Sequence, residues 1–198
     1  QPVENSPYLT NDHDGNEAYG WGKLMAENYL REHLPEHLHY TIFRPCHIYG
    51  MPSELGCFPA HCRDKDLIAK LLDNEIVELV EDGRMLQQPI DCDDLAQTII
   101  SAIGNKLAYN KVFNMAGPDI VESRQYYKII ADALGVELKT ANISYDKQVT
   151  ENPAQRPFLF HRIYVQDDLK KANLHVPVIP LAEGLKKHTL ALRAKKGL

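Results

Sequence analysis

Residues 17–33 read EAYGWGKLMAENYLREH, and residues 39–45 read HYTIFRP. In the first run Ala18, Trp21, Met25 and Tyr29 recur at three- and four-residue steps, which predicts a helix over 17–33. Pro35 ends it. The second run is β-branched and aromatic and is stopped by Pro45, which predicts a strand. Upstream, the polar stretch 1–16 carries Pro2, Pro7 and Gly15 and reads as a loop.

The alternation continues downstream. Helices are expected over 64–72, from Asp93 or Asp94 through Ile103, over 123–134 up to Gly135, and over 166–173 and 181–194. Strands are expected at EIVELV (75–80), KVFNMAG (111–117) and ELKTANIS (137–144). Strands alternating with helices predict an α/β protein with parallel pairing. By itself this pattern would equally suit a self-sufficient domain of any function.

The composition narrows the classes. The chain has 198 residues, 44% hydrophobic and 25% charged, with a net charge of −5. No run of about 18 apolar residues occurs, so a membrane-spanning helix is not expected. Mild acidity argues against nonspecific nucleic-acid binding, because nothing in it would neutralise phosphates. Lys186, Lys187, Arg193, Lys195 and Lys196 cluster at the end and read as a solvated helix face. Cys46, Cys57, Cys62 and Cys92 form no CxxC pair, which suits a reducing cytosol and predicts a cytoplasmic protein. Cys57, His61 and Cys62 are metal-ligand types without a second ligand pair, so no metal is expected. His33, His37 and His39 read as the wet end of a helix.

The best candidate for chemistry is Tyr19-Gly-Trp-Gly-Lys23. Four residues apart on a helix, Tyr19 and Lys23 share one face. A phenol with a pKa near ~10 exchanges protons poorly at neutral pH, and an ammonium beside it favours the phenolate. Such a pair can move a proton at a substrate hydroxyl or carbonyl. Chance alone predicts about 0.7 such pairs from 10 Tyr and 14 Lys in this length, so the spacing alone decides nothing.

Its neighbours decide more. Pro2-Val-Glu-Asn-Ser-Pro7 precedes it, and Arg44-Pro45-Cys46-His47-Ile48-Tyr49-Gly50 closes the next strand. Then come Glu81-Asp-Gly83, Asp93-Asp94, Asn114-Met-Ala-Gly117-Pro118, and Gly184 in a Leu-Ala-Glu-Gly-Leu helix. In this order the set resembles the extended short-chain dehydrogenase/reductase family, the NAD-dependent epimerases and dehydratases of nucleotide sugars, along essentially the whole chain.

The resemblance implies the C-terminal portion of a Rossmann-like parallel sheet plus a small α/β substrate-binding domain. Residues 1–50 and 91–117 would belong to the former, and 51–90 and 118–198 to the latter. It implies Tyr19 as acid/base and Lys23 as the group that lowers its pKa and binds the nicotinamide ribose. Pro45, Cys46, His47 and Ile48 would lie against the nicotinamide of NAD or NADP. Asp93, Asp94 and Asn114 would be architectural, the two acids as helix caps. A homodimer acting on a small sugar-like molecule is the implied assembly.

Three departures follow. The family's glycine-rich dinucleotide loop is absent from the sequence, so the diphosphate of the cofactor has no cradle here. It would lie in some 110 to 120 residues before Gln1, and the fragment alone is expected neither to bind NAD(P) nor to turn over. The catalytic Ser or Thr would also precede Gln1, with Ser6 and then Thr10 as weaker choices. Nucleotide-sugar enzymes often carry an Arg a few residues after the glycine at Gly83, but here that position holds Gln87, with Arg84 nearby. Gln87 keeps open a second reading, a family relative with a vestigial site that serves RNA binding or regulation. The strands near Thr41 and Val112 are expected to lack the neighbours of a complete sheet.

Overall fold

The computed structural model describes residues 16–57 and 63–198. Helix α1 (Asn16–His33) leads into strand β1 (Thr41–Pro45) and the short β2 (Ile48–Tyr49). Helix α2 (Leu67–Leu72), β3 (Val77–Val80), β4 (Leu86–Gln87) and β5 (Ile90–Asp91) follow, then α3 (Cys92–Ser101) and β6 (Lys111–Met115). The remainder is β7 (Val121–Glu122), α4 (Ser123–Leu134), β8 (Thr140–Ile143), α5 (Tyr145–Glu151), α6 (Asp167–Lys171) and α7 (Leu181–Lys196).

The expected α/β alternation is present, and its principal pairings are parallel. β1 runs parallel to β6, from Thr41 opposite Lys111 to Pro45 opposite Met115. β3 runs parallel to β8, and β2 pairs β5 in the same sense. Among the described residues only β4 and β7 pair antiparallel. Among the described residues β1 pairs with β6 alone, so the pair lacks the further strands of a complete sheet.

Among the described residues three apolar clusters hold these elements. The largest gathers Leu55, Leu71, Leu79, Tyr126, Tyr127, Ile130 and Leu185, joining α2, β3, α4 and α7. α4 is strongly amphipathic and ends where Gly135 turns left-handed at φ 75°, the usual geometry of a glycine past a helix C-terminus. A second cluster packs Phe113 of β6 against Ala102, Leu169 and Leu174, with Phe43 of β1 at its border. A third joins Val80, Met85 and Leu159.

The helix expected over 17–33 is present, with one feature the sequence left open, and the capping expected of Asp93 or Asp94 needs correction. The apolar stripe of α1 faces outward: Trp21, Met25 and Tyr29 are 41%, 49% and 64% exposed. The periodicity is real, but its face is not turned to the core of this chain. Neither Asp93 nor Asp94 caps α3. Asp91 does, its carboxylate accepting from the Asp93 N–H at 2.8 Å. Asp94 is instead turned inward, where Oδ1 meets His175 Nε2 at 2.8 Å and Oδ2 accepts from the N–H groups of Val178 and Ile179 at 2.9 and 2.7 Å. The histidines at 33, 37 and 39 are exposed, as expected.

Candidate active site

The parallel pair β1–β6 brings together the ends of two strands at their carboxyl edge, where open α/β sheets present ligands. After Pro45 the chain remains tied to that edge. Cys46 N–H donates to the Met115 carbonyl at 2.9 Å, and the Cys46 thiol donates to the Gln88 carbonyl at 2.7 Å. Ile90 N–H donates to the His47 carbonyl at 2.9 Å. The stretch Pro45–Ile48 therefore runs alongside 88–90, with Gly117 close behind. A side chain on Gly117 would collide with the Pro89 carbonyl, which accounts for the glycine there.

Burial sets the chemistry of these side chains. It pushes the Cys46 thiol up to about 12, so Cys46 is a hydrogen-bond donor and not a nucleophile. It lowers His47 to about 4, aided by the charges of Arg63 and Arg162, so the imidazole is neutral at physiological pH. Cys57, Tyr126 and Tyr127 are raised by burial in the same way. Tyr127 Oη and the Cys57 backbone bond each other in both directions, at 3.0 and 3.2 Å, which pins the loop after β2 onto α4. His61 and Cys62 of the metal-ligand run lie outside the described residues.

Tyr19 and Lys23 both fall on α1, one turn apart. The side chain of Tyr19 lies outside the described residues, and Lys23 is exposed. Ser6 and Thr10 are likewise outside the described residues. Arg84 and Gln87 do not come together. Arg84 projects into solvent with an ion pair to Asp82 at 3.6 Å, while Gln87 on β4 is 1% exposed.

Several residues around the site were not singled out by sequence pattern. His188, inside the basic α7, is buried and accepts from Gly50 N–H on Nδ1 at 3.1 Å while donating from Nε2 to the Ser53 carbonyl at 2.8 Å. It thus holds the loop that follows Tyr49 and lines, with Asp91, Cys92, Asp93, Gly184 and Lys187, a cavity of about 160 Å³. Asp91, Cys92 and Asp93 bring three ligand-type atoms within 4.8 Å of one another, but Asp91 caps α3 and Asp93 pairs with Lys187. Arg162 places its guanidinium 4.9 and 5.3 Å from the ring centres of Phe158 and Phe160. A signal for His188 existed in Gly184, four residues before it on α7, whose missing side chain admits Tyr49.

Comparison with known proteins agrees with this geometry. The family model described as the NAD dependent epimerase/dehydratase family matches residues 2–116, more than half of the chain. No curated protein matches. UDP-N-acetylglucosamine 4-epimerase from Methanobrevibacter ruminantium, solved with UDP-N-acetylmuramic acid, superposes with a TM-score of 0.75 at 19% identity, over 98% of this chain and 57% of that one. dTDP-glucose 4,6-dehydratase from Streptomyces venezuelae, solved with NAD bound, gives 0.69 at 17% identity over 91% and 51%. UDP-glucose 4-epimerase from Thermotoga maritima, solved with UDP-glucose, gives 0.65 at 19% over 91% and 53%. At these identities the likeness speaks to the fold, a Rossmann-like one, and the chain spans about half the length of the structures it matches. The family match over β1, α3 and β6, together with the shared fold, establishes that the chain belongs to the NAD-dependent epimerase/dehydratase family.

Proposed function

We propose that the chain is part of an NAD(P)-dependent epimerase, dehydratase or reductase that acts on a hydroxyl or carbonyl of a sugar-like substrate, a nucleotide sugar included. The observation that carries the reading is the parallel β1–β6 pair, whose carboxyl edge presents Pro45–Ile48 beside Met115, directly after the helix that bears Tyr19 and Lys23. The division into a Rossmann-like part (1–50, 91–117) and a substrate part (51–90, 118–198) belongs to the same proposal.

The residues fit one end of the cofactor. Pro45, Cys46, His47 and Ile48 would flank the nicotinamide ring, with a half-buried neutral thiol and imidazole that neither titrate nor attack near pH 7. Lys23 would hold the adjoining ribose hydroxyls. The diphosphate end is not fitted, since the sequence has no glycine-rich turn to receive it. When bound, the nicotinamide supplies hydride transfer. Tyr19 would remove or return the proton of the substrate hydroxyl, and the Lys23 ammonium would stabilise its phenolate. This fragment by itself is expected to be inactive, and a homodimer is part of the proposal.

The test is Tyr19→Phe in a protein that contains this chain and the dinucleotide-binding half. Loss of at least ~100-fold in turnover, the low end for an acid/base group, is expected. An unchanged rate overturns the assignment. The second reading, RNA binding or regulation through a vestigial site, draws on Gln87, a neutral buried amide. Against it, Lys187 pairs with Asp93, and Lys196 with Glu54, so part of the basic terminal helix is already neutralised within the chain. Steeply salt-dependent RNA binding without nicotinamide turnover would favour it.

A further inference from the structure

Gln88, between β4 and β5, is 6% exposed, and both ends of its side-chain amide are engaged. Nε2 donates to the Gly117 carbonyl at 2.9 Å, and Oε1 accepts from the Tyr164 N–H at 2.8 Å. Its backbone carbonyl accepts from the Cys46 thiol at 2.7 Å. One residue thus ties together the stretch Pro45–Ile48, the turn that leaves β6 and the chain at Tyr164. Gln166 repeats the tie from the other side, its Oε1 accepting from the Ala116 N–H at 3.0 Å and its Nε2 donating to the Gly117 carbonyl at 3.4 Å.

These bonds set Tyr164 at the wall of a cavity. About 480 Å³ in volume, the cavity is lined by Pro118, Tyr164, Gln166, Asp167, Lys170 and Val176 among others, just past the carboxyl end of β6. Open α/β sheets take ligands at that end, and small-molecule sites have this size. Pro118, Asp167 and Lys170 are exposed, so the cavity opens to solvent and a ligand can enter it. Its lining carries one acid and one base, with no net charge to favour an anion over a neutral polar ligand. Phenol, carboxylate and ammonium together offer hydroxyl groups both donors and acceptors.

We infer that Gln88 is a positioning residue of the candidate site: its amide latches the Tyr164 wall of this cavity to the strand edge that holds Cys46, and so sets where a neutral sugar-like ligand lies against the stretch Pro45–Ile48. The inference rests on the proposed sugar-like substrate. Gln88 touches no ligand itself and takes no part in proton or hydride transfer. Without the amide, the Tyr164 N–H loses its acceptor and the Gly117 carbonyl its closer donor, so the wall is released from the edge. The place demands a donor and an acceptor on one neutral group. A protonated carboxyl meets that demand. A carboxylate does not, because it only accepts and would face the Gly117 carbonyl.

The experiment is an NMR titration of the ¹⁵N-labelled 198-residue chain with methyl β-D-glucopyranoside, read at the amides of Tyr164, Gln166 and Lys170. All three should respond in the wild type. Gln88→Met keeps the length and loses both bonds, and should weaken binding by about fivefold or more, the worth of one neutral hydrogen bond. Burial raises a carboxyl above its ordinary value of about 4.3, so Gln88→Glu should bind like Gln88→Met at pH 8 and recover toward wild type as pH falls to 5. A purely structural Gln88 would lower Tm without making affinity follow that proton. The wild type at the same pH values controls for Cys46, Arg162, Tyr164, Asp167 and Lys170, the titratable and charged groups around the latch and the cavity. No response in the wild type, unchanged affinity in Gln88→Met, or a Gln88→Glu affinity indifferent to pH overturns the latch. If Gln88→Met does not fold, Gln88→Glu, which matches the native side chain when protonated, still decides. None of these readings depends on Tyr19 or on turnover, so a failed titration and a failed Tyr19→Phe test remain distinguishable.

Discussion

Arg44 on β1 grips Glu27 on α1 through two parallel hydrogen bonds, Nε to Oε1 at 2.8 Å and Nη2 to Oε2 at 2.6 Å. Fork-to-carboxylate pairing of this kind combines direction with charge. It matters here because the apolar stripe of α1 faces outward, and this polar tie helps to fix the helix carrying Tyr19 and Lys23 against the strand. Both side chains are more than two-thirds buried, which spares the pair most solvent screening. Arg44→Met should cost about 1 to 3 kcal/mol and selectively raise amide hydrogen exchange along α1. Uniform protection, unchanged in α1, would show that the helix is held otherwise.

A second prediction concerns Gly184. A β-carbon there would sit 2.5 Å from Tyr49 Oη and 2.6 Å from Asp91 Oδ2, both buried groups with little room to withdraw. Gly184→Ala should therefore destabilise the chain by about 1 to 3 kcal/mol, despite the better helix propensity of alanine. For a domain of this size that is roughly 2 to 12 °C in Tm. Thermal melts of the variant check it, and a stabilised Gly184→Ala would mean that α7 lies farther from Tyr49.

How far the sequence reveals this arrangement depends on the length of the signal. TIFRP carries Thr41, Ile42 and Phe43 and KVFNM carries Val112 and Phe113, β-branched and aromatic residues that favour strands, and the two pair in full register. SRQYYKIIADALG carries three turns of helix and its stop, and α4 follows it residue for residue. β2, β4, β5 and β7 are two residues each, too short for any alternation to register, and they exist only because distant segments meet them. α5 begins at a Ser144 cap within a polar run that has little apolar period. The site divides the same way. Tyr19, Lys23, Gly50 and Gly184 stand out as a motif string, whereas His188 looks like one more member of a basic helix face. Its bond to Gly50 spans 138 positions, and no local pattern encodes such a partner.

Asp94 supplies a third prediction. It is nearly inaccessible and its carboxylate receives His175 and two consecutive backbone N–H groups that start the approach to α7. Asp94→Asn replaces one accepting oxygen with an NH₂ that faces donors, so at least one buried N–H or the imidazole loses its acceptor. The expected cost is about 2 to 3 kcal/mol, near the upper range for hydrogen bonds to a charged group. Urea unfolding should show a lower midpoint with an unchanged slope. An equal cost for exposed Asp93→Asn would argue against burial as the cause.

The last prediction follows from His47 and His188, both held below the ordinary imidazole range chiefly by burial. A lowered pKa in the folded state means that the unfolded chain binds more protons between the two values, so stability rises with pH there. The stabilisation is complete above the unfolded value of about 6.5 and fades as pH falls through the folded one. For His47, lowered to about 4, the full effect is roughly 3 kcal/mol, reached only near pH 4. Between pH 7 and 5, before most carboxylates titrate, the chain should lose about 2 kcal/mol through His47, with His188 acting in the same direction. The strain falls on one loop, because a second proton on His188 would remove the Nδ1 lone pair that accepts from Gly50 N–H. His188→Gln should flatten the slope of unfolding free energy against pH in that window. A slope identical to wild type in both His188→Gln and His47→Gln would place the acid sensitivity elsewhere in the chain.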